Sequence, residues 1–297
     1  MKLPENDRYD YIPINQRPVY DWPNGTRLAV VLSNNLEHFA FKAGVGLNDS
    51  AVDADPSHRN SAWRDYGNRI GIWRMFDAFD ELDLPLSHNI NSEVMARYPD
   101  IIAKVIERDD ELVAHGRTNS ERSSNFWEDD EERFIGEITE EITKHWGQRP
   151  TGWMGPSIAE SAVTSDLLKE AGYGYTMQWP CDDQPIYIKT RSEPILNIPY
   201  PVEMNDVGIF VRRHNTGRQF AEMMIDQFDE MLEQSAKQPL VYSISLHPFL
   251  VGQPFRMRPL REALKHIAER RDDVWLTQPR HIASHIESLP AGVVPGS

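Results

Sequence analysis

RLAVVLSNNLEHF (27–39) passes from an uninterrupted apolar, β-branched run into a cluster of polar side chains. A run of strand length with no polar alternation suits a strand covered on both faces, as in a parallel sheet. Asn34, Asn35, Glu37 and His38 then fall at the C-terminal end of that strand. Adjacent residues there point to opposite faces, so one of Glu37 and His38 faces a pocket while the other packs outward. PLVYSISLH (239–247) repeats the pattern late in the chain, and Pro248 favours extended backbone at His247.

Between these two runs the pattern alternates. Helices are expected over 67–82, over 92–108 with a break at Pro99, and over 128–146, where Phe134, Ile135, Ile138 and Ile142 recur at helical spacing. Further helices are expected over 161–171, 220–234, 259–270 and 279–286. Strands are expected at 86–90, 111–115, 152–155, 173–178, 195–199 and 274–277. Strands separated by helices make parallel βαβ units, roughly seven or eight of them. No GxGxxG follows the first strand and no GxxxxGK[ST] occurs, so the usual nucleotide-binding reasons for an open sheet are missing. The expected fold is an irregular α/β barrel of about seven parallel strands, with its chemistry at the C-terminal strand ends. Residues 1–26, with Pro4, Pro13, Pro18 and Pro23, read as an extended arm, and residues 27–290 as a single catalytic barrel domain. Residues 48–64 lack any period and read as a long loop. The wider 40–66 stretch is expected to close over a pocket.

The 297 residues carry 31 Lys+Arg against 46 Asp+Glu, a net charge of −15. Such a balance offers no delocalised grip on nucleic acid. With a single cysteine, Cys181, no internal disulfide and no cysteine-rich zinc module can form. No secretion signal and no membrane span is visible, so a cytoplasmic protein acting on a small molecule, without nucleic-acid or membrane partners, is expected. The proline-rich arm suits a homo-oligomer, a dimer or a tetramer.

The strand ends supply the candidate site. Besides Glu37 and His38 they offer His115, Asn119, Asp182, Asp183, Glu203 and His247. Carboxylates and imidazoles at one barrel edge perturb one another and suit metal binding or acid–base work. His115 precedes Gly116, where the backbone can turn sharply. Thr118, Asn119 and Ser120 read equally as a helix cap, and DDQP (182–185) equally as a solvated turn. RRH (212–214) offers a forked guanidinium for a substrate carboxylate or a neutraliser of nearby acids. Neither GxSxG nor HExxH is present, and Cys181 has no flanking His, which disfavours serine and thiol hydrolysis.

The order of these motifs resembles the polysaccharide deacetylase superfamily, carbohydrate esterase family 4, and in particular its allantoinase-like branch of cyclic-amide hydrolases. The resemblance spans roughly residues 25–288. Asn35-Leu36-Glu37-His38 is similar to the family's Thr-Phe-Asp-Asp, which implies Glu37 as base and puts His38 where a metal-binding Asp stands. His115 to Asn119 resembles the His-Gly-x-x-His motif, with Asn119 at the second metal histidine. Gly152 to Pro156 resembles the Gly-x-Arg-x-Pro strand end, with Met154 replacing the Arg. SLHPFLVGQPFRMRPLREAL (245–264) resembles the Leu-His strand of the allantoinase-like branch and implies His247 as general acid.

The family's Asp-His-His triad holds zinc, and here two of its three members differ. A rebuilt site with His38 and His115 as metal ligands, and a site with no metal, both stay open. The implied activity is hydrolysis of a cyclic amide, imide or ureide, with Glu37 and His247 catalytic. Asn35, Asn119, Asp182, Asp183, Glu203 and Arg213 are then the expected substrate contacts. An N-deacetylase of an acetylated sugar and an inactive binding protein on the same scaffold are the alternatives.

Overall fold

The structure, a computed structural model, describes residues 5–41 and 58–297. Its strands are β1 (Leu28–Leu36), β2 (Ser87–Ile90), β3 (Glu111–Ala114), β4 (Gly152–Trp153), β5 (Tyr175–Thr176), β6 (Ile186–Ile188), β7 (Ile195–Asn197), β8 (Leu240–Leu246) and β9 (Trp275–Thr277). The helices are α1 (His58–Tyr66), α2 (Ile72–Glu81), α3 (Ser92–Arg97), α4 (Pro99–Glu107) and α5 (Glu128–Trp146), followed by α6 (Thr164–Glu170), α7 (Gly217–Ser235), α8 (Pro248–Val251), α9 (Pro254–Ala268) and α10 (Pro279–Ser288). The sheet order is β6-β7-β5-β4-β3-β2-β1-β8, with β9 beside β1. Every pairing among the described residues is parallel except β6 with β7. A parallel bridge from Asn205 to Ser245 draws the chain after β7 toward the far edge, so the curled sheet makes a half-barrel.

Strand parity sorts the core into two layers. In β1, Leu28, Val30 and Leu32 pack against the surrounding helices, while Ala29 and Val31 face the barrel interior with Val113, Val241 and Trp22. The period of two carries the inner face onward through Ser33 and Asn35 to Glu37. It does the same from Val113 to His115, and from Val241 through Ser243 and Ser245 to His247. The interior therefore changes from apolar at the bottom to polar at the top. A hydrogen-bonded floor marks the change: Ser33 meets Ser87 at 3.2 Å, and Asn35 donates to Ser245 and Leu246 while accepting from Asn89 and Tyr200.

Several elements depart from the sequence expectation. Residues 58–64 of the expected loop are helical, because Trp63 packs edge-on against Phe249 at 5.2 Å and Arg64 stacks on Phe39 at 4.3 Å. Positions 48–57 of that loop lie outside the described residues, as does most of the stretch expected to close over a pocket. Helix α9 starts at Pro254, where a missing N–H costs least, so Pro259 lies inside the helix and leaves the Phe255 carbonyl without its helical donor. The antiparallel β6 stands within the segment whose Asp-Asp-Gln-Pro start reads as a turn. Between Trp22 and Leu240 the arm is pinned by an indole N–H bond to the strand carbonyl, and Arg8 and Arg17 pair with Asp166 and Asp182. No helix among the described residues is long and apolar enough to cross a membrane.

A π-helical turn, Gly67–Gly71, joins α1 to α2 and lies against the chain that follows His247. A Cβ at Gly71 would sit 2.1 Å from the Pro248 carbonyl oxygen. Gly71→Ala is expected to destabilise the fold by about 1–3 kcal/mol through this overpacking, read as a lower denaturant midpoint. An unchanged midpoint would mean that the two segments do not touch.

Candidate active site

Three inward-facing positions at neighbouring strand ends bring Glu37, His115 and His247 together. All three are buried, and they line a cavity of about 670 Å³, the size of a small-molecule site. The Glu37 Oε1 atom lies 3.4 Å from His115 Nε2 and 3.5 Å from His247 Nε2. His115 Nδ1 bonds to the Met154 carbonyl, which turns Nε2 toward Glu37, where no hydrogen bond closes on it. On the far side of His247, Asp206 accepts from the ring at 2.6 Å through Oδ1 and from the backbone N–H at 2.8 Å through Oδ2. His247 is extended, at φ −125° and ψ 122°, and Pro248 opens the short helix α8 behind it.

The electrostatics follow from this row of alternating groups. Burial alone would lower the His247 pKa, yet Asp206 and Glu37 outweigh it and raise the imidazole to about 10. Burial alone would raise the Glu37 carboxyl, yet His247 and His115 pull it down to about 2. At neutral pH the cavity thus holds a carboxylate against an imidazolium. Burial lifts Asp206 above its ordinary range despite its bonds to His247.

Of the residues expected to contact substrate, Asn35 and Asn119 line this cavity. Asp182, Asp183, Glu203 and Arg213 do not. Asp182 is taken by a bidentate bond from Arg17, and with Asp183 it lines two other cavities, one of them walled by the arm. Glu203 and Arg213 are exposed and pair with each other. The expected metal ligands also separate. His38 has the opposite parity to Glu37 and lines a different cavity with Asp65, Glu93 and Arg97, away from His115. Asn119 is a poor zinc ligand, and among the described residues no group of three or more His, Cys, Asp or Glu is placed to hold an ion. The residues present therefore do not fit the family's zinc. His88 is a satisfied core histidine between Asn34 and Asp110.

Other residues at the cavity were not singled out by sequence reasoning. Asp206 was passed over for Glu203, three positions earlier and exposed. Gln178 is tied to Gly155 and Glu160, and Tyr200 to Ser245, while Arg122 stands at the rim. Ser157 and Ile158 also line the cavity, both with positive φ, at 61° and 55°. A β-branched residue there is strained, a condition that clusters at functional sites.

No protein-family model matches the sequence. The crystal structure of a PuuE allantoinase superposes with a TM-score of 0.84 at 26% identity, over 97% of this chain and 98% of that one. A Pseudomonas aeruginosa structure, provisionally named a polysaccharide deacetylase, gives 0.82 at 28% identity over 91% and 94%. In sequence and fold the chain is thus similar to proteins of the polysaccharide deacetylase superfamily. A Schizosaccharomyces pombe protein of the same provisional name is 23% identical over 91% of this chain and 92% of its own length. Where the resemblance would put the superfamily's metal ligands, the chain carries His38 and Asn119.

Two outcomes are expected from this site. Dialysis against a chelator should leave turnover unchanged, and loss of activity restored by zinc would overturn the reading of the donor set. Asp206→Asn should cost about 3–5 kcal/mol of stability by leaving the charged ring short of a partner. Because the folded His247 pKa is raised, the stabilisation is full below the unfolded value near 6.5 and fades as pH rises through about 10. The gap between wild type and variant, followed by denaturant unfolding, should therefore narrow toward pH 10. A gap that is constant with pH would contradict the assignment.

Proposed function

We propose that this hydrolase opens the C–N bond of a cyclic amide, imide or ureide by acid–base attack of water. One observation carries the reading: a single buried carboxylate oxygen faces the Nε2 atoms of two histidines, one of them backed by a second carboxylate. Glu37 takes a proton from water as the water oxygen bonds to the ring carbonyl carbon. The oxygen on which negative charge builds needs a donor, and the reading assigns that role to an Nε2–H of His115, whose Nδ1 is held by the Met154 carbonyl. As the C–N bond breaks, His247 gives its Nε2 proton to the leaving nitrogen, and the proton on Glu37 then restores the imidazolium.

In the resting pair Glu37 is too weak a base and His247 too weak an acid to do this at neutral pH. A substrate seated between them separates the charges, which raises the proton affinity of Glu37 and loosens the hold of His247 on its own proton. Asp206 keeps the ring in one orientation throughout, as a positioning residue.

The second reading, N-deacetylation of an acetylated sugar, uses the same three groups and is favoured by the names of the Pseudomonas and fission-yeast relatives. The cavity volume and the likeness to an allantoinase structure along nearly the whole chain support the ring substrate over it.

Assays with hydantoin, succinimide, allantoin and chitin oligomers distinguish the two. Ring opening of at least one cyclic compound is expected, and deacetylation of chitin oligomers alone would sink the proposal. Glu37→Gln and His247→Ala should each lower kcat by about 10²–10⁴ while leaving the fold intact. Retention of more than about a tenth of the activity by His247→Ala would rule out its acid role.

A further inference from the structure

Arginines in this acidic chain are generally matched to carboxylates. Arg8 pairs with Asp166, Arg17 with Asp182, Arg108 with Asp110, Arg191 with Glu128 and Glu170, and Arg218 with Glu262. Arg122 and Arg212 differ. Both line the cavity that holds Glu37, and neither has an ion pair or side-chain hydrogen bond with a described residue. A solitary unpaired arginine on open surface is ordinary. Two of them converging on one cavity from separate elements, in a chain of net charge −15, is an arrangement suited to an anion.

Both are carried on fixed backbone. Arg212 ends a π-helical turn, Gly208–Arg212, closed by bonds from the Arg213 N–H to Gly208 and from the Asn215 N–H to Ile209. Ile209 and Phe210 anchor the turn in the core, whereas Val207, Gly208, Val211 and Arg212 share the face toward the cavity. Arg213, next in sequence, is diverted outward to Glu203. Also lining the cavity, Arg122 precedes buried Ser123, whose hydroxyl bonds to the Ala159 carbonyl beside the strained Ser157–Ile158 turn.

We infer that the substrate carries a carboxylate or comparable anionic group, which Arg122 and Arg212 bind while the reacting ring lies against Glu37 and His247. This rests on the ring-opening reading and narrows it to acidic rings. Guanidinium forks match a carboxylate through paired, charge-assisted bonds, which adds orientation to affinity. Anchoring the acid arm at the rim would present one ring carbonyl to the deep carboxylate and histidines.

The test compares hydantoin-5-acetate with its neutral amide, hydantoin-5-acetamide, by calorimetric titration into the wild-type protein and Arg122→Gln/Arg212→Gln. The wild type should bind the anion about 10- to 100-fold more tightly, with strong dependence on salt, and the double variant should lose that preference at an unchanged unfolding temperature. Arg122→Lys/Arg212→Lys should restore part of it. Equal binding of the two ligands, a preference that survives in the glutamine variant, or no binding of the anion by folded wild type would each overturn the inference. Turnover of the same compounds separates the two readings. Preferential binding of the anion without ring opening removes the ring-opening proposal and keeps the anion site. Ring opening of both at equal kcat/KM does the reverse.

Discussion

His247 can hold a proton in a site that water barely reaches because Asp206 bonds one ring nitrogen and Glu37 faces the other. Removing carboxylates and an imidazolium from water costs several kcal/mol per ion, and their mutual attraction offsets that cost only in good geometry. The geometry comes from the sheet. Parallel neighbours β1 and β8 run in register from Leu28 beside Leu240 to Asn34 beside Leu246, so residues a few steps further on emerge side by side above the barrel. Asp206 reaches the row from outside the regular strands. The Asn205–Ser245 bridge and the bond from the Ser245 N–H to Met204 lock its segment against β8.

Below this row, the floor of Ser33, Asn35, Ser87, Asn89, Ser245 and Tyr200 satisfies its polar groups largely from within. That leaves few competing donors for Glu37 and makes its two histidines the dominant influences after burial. Above the row, the wall turns apolar at Phe39, Val202, Val207 and Val211, with arginines at the rim. On the proposed reading a ring would be held by shape, oriented by charge at its edge, and attacked from below. Each of these tasks falls to a different layer of the same barrel.

Much of this was legible in the chain. Helix α5 spans Glu128–Trp146 as its spacing predicts, Pro99 separates α3 from α4, and the apolar runs at 27–35 and 239–247 form the paired strands β1 and β8. The candidates Glu37, His115 and His247 stand at the strand ends where their motifs put them. What escaped was whatever depends on pairing across distant segments. Asp182 looks the same in sequence whether it meets a substrate or Arg17. Of two adjacent arginines, only the π-helical turn decides that Arg212 faces the cavity and Arg213 faces Glu203. Asp206 lies in an irregular stretch with no period to mark its direction. The separation of His38 from Glu37 was readable in principle from strand parity, but which member would turn inward was not.

The central claim is that His247 is a buried imidazolium at neutral pH, gripped from both sides. Nitrogen-15 NMR titration of the histidine ring reads this without any substrate. The account predicts that both ring nitrogens of His247 remain protonated through pH 8 and titrate near 10. A midpoint near the ordinary 6.5, or a single protonated nitrogen at pH 7, would contradict it.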